Sequence, residues 1–94
     1  MLKVHESVSA DPRRDIQGWV RVYRVEKGIE HTVEAIVPAV GSIPGLVRQM
    51  QGRMKRDLLG YQVCIAESHG DEHTPDKRLV EGDWAEAVSQ LGGL

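Results

Sequence analysis

Cys64, His69 and His73 are the residues whose types and spacing come nearest to a metal site. Cys-x4-His-x3-His places a thiol and two imidazoles beside Asp71 and Glu72, and zinc takes both donor types. A structural zinc wants four ligands, usually with a paired-cysteine knuckle, and the chain has one cysteine. The set is therefore a weak candidate, and the bland reading is a strand cysteine beside two solvated histidines. The same thiol with His69 or His31 has the types of a nucleophile and its base. A reactive thiol needs a lowered pKa from a helix N-terminus or a nearby cation. Cys64 instead stands between Val63 and Ile65 in an apolar run, where a buried, inert thiol is expected.

The carboxylates Asp71, Glu72 and Asp76, followed by Glu81, Asp83 and Glu86, have the chemistry for acid–base work or a hard cation. They lack EF-hand spacing and read as a solubilising surface. Gly41-Ser-Ile-Pro-Gly45 resembles an anion cradle at a helix start, but capping explains it, and Pro44 removes a donor. No Walker lysine, Gly-x-Gly-x-x-Gly or Gly-x-Ser-x-Gly motif is present. These residues predict no enzyme and no cofactor.

Two groups suit recognition. Trp19, Arg21, Tyr23 and Arg24 lie along one stretch of a hairpin, with Arg13 and Arg14 adjacent, and can stack bases and neutralise phosphate. Arg48, Arg53, Lys55 and Arg56 add a basic helix back. Glu26, Glu30 and Glu34 follow the aromatic stretch and offset its charge. The other reading of Trp19 and Tyr23 is a second apolar patch, which on so small a chain favours a protein partner or a homodimer.

The elements that must position these groups follow from periodicity. Ser42–Leu59 predicts an amphipathic helix: Ser42 caps it, Pro44 sits in its first turn, and Gly60 ends it. Its apolar stripe is Ile43, Leu46, Val47, Met50, Met54 and Leu58. Residues 2–8 alternate as a strand, and Ser9–Asp15 form a loop. Ile16–Val25 and Ile29–Pro38 predict a hairpin turning at Glu26-Lys27-Gly28.

With a two-residue turn, Val20 and Val22 meet Ala35 and Val33, and Arg21 meets Glu34. A three-residue loop pairs Tyr23 with His31 instead. The first register collects the valines on one face, and a one-residue slip would exchange the faces. It leaves Trp19, Tyr23 and Ile36 on the other face, as a contact surface with Arg21. Tyr61–Glu67 predicts a fourth strand, 68–76 a polar loop, and Asp83–Leu91 a short helix with Asp83 as N-cap.

The order β-β-β-α-β-α predicts an α+β two-layer sandwich of one domain over residues 1–94. Its mixed, mostly antiparallel sheet of about four strands carries the helices on one face. No apolar run reaches the ~18 residues of a membrane helix. A lone cysteine suits a reducing, cytoplasmic setting. Net charge is −2, with six bases and six acids in residues 1–42, four and one in 43–66, and two and seven in 67–94. That distribution sets a basic helix beside an acidic C-terminal third.

Overall fold

The computed structural model describes residues 1–54, 59–68 and 77–94. Its elements in chain order are β1 (Lys3–Val4), α1 (Glu6–Ala10), β2 (Asp15–Glu26) and β3 (Ile29–Ser42). There follow α2 (Ile43–Arg53), β4 (Gln62–Glu67), β5 (Lys77–Asp83) and α3 (Trp84–Leu91). The class is α+β, as the order of apolar periods implies. Five strands lie in the order β1-β5-β4-β2-β3, and every neighbouring pair is antiparallel. The sheet is thus wholly antiparallel rather than mixed. β3 and β4 both run opposite to β2, which lies between them, so the crossover through α2 skips a strand.

β2 organises the sheet because its alternation is nearly ideal. Ile16, Val20 and Val22 are buried on one side, and the close approach of β4 lies at Gly18. A Cβ on Gly18 would collide with the Ala66 carbonyl oxygen. The hairpin turns on Lys27 and Gly28 (φ 54° and 76°), a two-residue turn of the kind that suits right-twisted strands. Near the tip the expected register holds: Glu26 faces Ile29 and Arg24 faces His31.

An extra residue at Val33 then shifts the pairing by one, so Val22 faces Glu34 and Val20 faces Ile36. A second irregularity follows between Gly18 and Val20. The shift puts Ile36 on the covered side, 4% exposed, which corrects its expected place beside Trp19 and Tyr23. Arg21 pairs with Ala35 across the strands, not with Glu34.

β5 was not anticipated. Its LVEGD stretch has two adjacent apolar residues and no clear alternation. A bulge explains this: Val80 pairs with Ile65 and Arg78 with Ala66, leaving Leu79 as the extra residue, and both Leu79 and Val80 are buried. The N-terminal strand is shorter than predicted because His5 ends it. His5 Nδ1 accepts the Ser7 backbone N–H at 3.1 Å and starts α1, which sends Val8 into the core.

α2 begins as expected, with Ser42 Oγ accepting the Gly45 N–H at 3.2 Å. It ends at Arg53 rather than Leu59; Met54, with φ −93° and ψ 95°, is already extended. Lys55, Arg56 and Leu58 lie outside the described residues. The stripe Ile43, Leu46, Val47, Met50 and Met54 is buried. α3 is capped by Asp83, whose Oδ2 accepts the Glu86 N–H at 3.4 Å, and it buries Trp84, Ala87 and Leu91 in the same core. The Trp84 indole N–H is buried, and no partner for it is found among the described residues.

All three helices therefore lie on one side of the sheet, around a single cluster that includes Val8, Val20, Leu46, Met50, Ile65 and Trp84. No described helix is long and apolar enough to cross a membrane.

Candidate functional site: the open face of the sheet

The second face of the sheet carries no helix among the described residues. Strand parity assigns its side chains. Rows run across the strands as Trp19–Ala66–Arg78, then Ala35–Arg21–Cys64–Glu81–Lys3, then Thr32–Tyr23–Gln62. Trp19, Arg21 and Tyr23, expected together on one face of the hairpin, stand in three successive rows and are each half-buried.

Local chemistry sets their postures. The Arg21 guanidinium stacks over the Tyr23 ring with its carbon 4.3 Å from the ring centre, a cation–π arrangement. Its Nη2 donates to Glu30 at 2.7 Å and its Nη1 to Thr32 at 3.4 Å. Burial and the Glu30 carboxylate raise the Tyr23 pKa, while Arg21 partly opposes them. Two strands away, Arg78 Nη1 donates to Glu81 at 3.1 Å and lies 3.9 Å from Cys64 Sγ.

Cys64 is buried beneath these long side chains although no described helix covers it. Burial pushes its thiol pKa up, and the nearby Arg78 and Arg21 only partly offset that. A raised pKa and a shielded sulfur both work against nucleophilic attack by this thiol. His69 and His73 lie outside the described residues. Among the described residues no three of His, Cys, Asp and Glu gather as a metal site would require.

The apolar part of the open face lies along β3, where sequence reasoning stopped too early. The strand continues past Pro38 to Ser42. Ile36 and Ala39 turn inward and are buried, while Val37 and Val40 remain 59% and 65% exposed. Val40 pairs with Gln17, and Val37 and Pro38 lie opposite Trp19. Trp19, Ala35, Val37, Pro38 and Val40 so form one apolar corner. The legible signal was the apolar run Ile36, Val37, Ala39 and Val40 around Pro38, a proline that reads as a strand end unless the strand is at an edge.

Of the basic residues assigned to nucleic acid, those among the described residues do not converge. Arg13 is exposed in the loop before β2. Arg14 Nη1 bonds the buried Glu67 carboxylate at 3.1 Å. Arg48 Nη1 donates to the carbonyls of Gly92 and Leu94 at 3.0 and 3.1 Å, tying α2 to the end of α3. Arg53 lies 3.9 Å from Glu34. Arg24 sits over the Tyr61 ring at 5.8 Å and bonds Glu26 at 3.2 Å.

A shallow apolar hollow lies on the helix side, lined by Val4, Val8, Pro12 and Leu91 among others. Its polar lining side chains are Ser9 and Gln90, and no charged side chain lines it. No protein-family model, no curated protein and no solved structure matches this chain.

Proposed function

We propose that the chain is a small binding module of the cytoplasm that engages a protein partner through the open face of its sheet. The observation that carries this reading is the apolar corner of Trp19, Ala35, Val37, Pro38 and Val40, set on a face that no described helix covers. Burying apolar surface of this kind is the main source of affinity in protein contacts, and aromatic residues and arginine anchor them. Trp19 supplies the aromatic anchor, and Arg21, held flat on Tyr23, presents an ordered guanidinium. The buried, protonated Cys64 and the shallow hollow offer no comparable support for catalysis.

Nucleic acid has less support. Arg14, Arg48 and Arg53 already hold acidic or carbonyl partners, and binding phosphate would compete with them.

Site-specific photo-crosslinking in cells tests the proposal. Val37→benzoylphenylalanine probes the open face, and Gln90→benzoylphenylalanine probes the helix layer. Protein adducts from position 37 and none from position 90 are expected. Adducts only from position 90, or only nucleic-acid adducts from position 37, would overturn the reading.

A further inference from the structure

We infer that the partner seated on the open face is a second copy of this chain, packed sheet against sheet about a two-fold axis. The inference rests on the open face being a protein contact surface, and three features select the occupant.

The first is charge. By strand parity the described ionic side chains of the face are Arg21, Arg78 and Lys3 with Asp15, Glu30, Glu81 and Asp83. They interleave, with Arg21 bonded to Glu30, Arg78 bonded to Glu81, and Lys3 opposite Glu81. A two-fold contact sets a surface against itself, so a face of one sign would repel its copy. A face with both signs near balance does not. The same balance is poorly suited to a polyanion, which needs a net positive surface.

The second is the defence of the sheet edge. β3 is an edge strand of fourteen residues, long enough to template pairing with another chain. Yet it has an extra residue at Val33, a proline without an N–H at position 38, and Glu30 and Glu34 toward its tip. These features block edge-to-edge addition. The apolar residues that remain exposed, Val37 and Val40, are turned to the face and not to the edge.

The third is size. The five strands span 2, 12, 14, 6 and 7 residues, which at about 3.3 Å per residue and about 4.8 Å between strands make a face of roughly 650 Å² before side-chain relief, the overhanging parts of β2 and β3 included. A modest stable contact buries about 600–800 Å² on each partner, which this face can supply only if most of it is used. Two sheets related this way pack about 10 Å apart, with Trp19, Val37 and Val40 of each copy inside the contact.

Size-exclusion chromatography with in-line light scattering tests the inference on the full chain. Wild type is expected at twice the 10.5 kDa chain mass at about 100 μM. Val37→Asp and Val40→Asp change exposed residues, and each enters a two-fold contact twice. Both are expected to run as monomers with unchanged circular dichroism, whereas Gln90→Asp on the helix layer remains dimeric.

A wild-type monomer at that concentration, or dimers that persist in both aspartate variants, would overturn the inference. The two proposals fail differently. A monomeric wild type that still crosslinks other proteins from position 37 removes the second copy and leaves the contact face standing. An absence of adducts at position 37 from any protein removes both.

Discussion

Cys64 shows how the setting of one residue decides its chemistry. Its strand faces it away from the helices, yet Arg21, Arg78 and their partners roof it over. Desolvation outweighs the two cations and raises the thiol pKa. The consequence for stability follows by linkage. In the unfolded chain the thiol ionises near its ordinary value of about 8.5, while in the folded chain it keeps its proton to higher pH. The unfolded state then binds fewer protons, so stability falls as pH rises above about 8.5. Urea titrations at pH 7 and pH 9.5 are expected to show lower stability at the higher pH. Cys64→Ala is expected to reduce that difference, and an equal drop in the variant would assign the loss to other groups.

At the scale of elements, two glycines behave oppositely. Gly18 lets β4 approach β2, and any Cβ there would meet the Ala66 carbonyl oxygen, which belongs to a paired strand and cannot move aside cheaply. Gly52, by contrast, lies in the last turn of α2 with no atom of the described residues near the position of a Cβ. Gly18→Ala is expected to cost more than about 3 kcal/mol in denaturant titration, through overpacking. Gly52→Ala is expected to gain about 0.5–1 kcal/mol, because alanine restricts the unfolded chain and favours helix. Comparable effects of the two substitutions would contradict the strand pairing at Gly18.

For the whole molecule, stability is distributed unevenly. The centre of the sheet, Val20, Val22, Val63, Ile65 and Val80, is fully buried under three helices. The hairpin tip runs past the start of β4, whose Gln62 faces Tyr23, and residues 24–32 are all exposed. A two-stranded ribbon without a third strand or a core is only marginally stable. Native-state hydrogen exchange is expected to proceed from the tip at low opening free energy, while amides at 63–65 exchange only on global unfolding. Equal protection at tip and centre would mean that something covers the tip.

The parts of this architecture legible in the sequence were those set by neighbours along the chain. Ser42 and Asp83 cap their helices because a side-chain oxygen three residues before a free N–H is local geometry. Gly28 marks the turn because glycine takes a positive φ at no steric cost, and Lys27 before it adopts the left-handed region that the two-residue turn requires. The stripe of α2 followed from its period, and Trp19, Arg21 and Tyr23 were placed on one hairpin face by alternation alone.

Tertiary structure decided what depends on distant partners. The shift at Val33, which buries Ile36 and exposes Val37, comes from fitting β3 to β2 and α2 together, and a one-residue slip has no signature in the strand's own composition. β5 exists because β4 offers it an edge and a bulge buries two adjacent residues, so it never shows a strand's alternation. α3 lies beside α2 and not on the far face because Trp84 fits the common core, and that choice left the open face with its apolar corner.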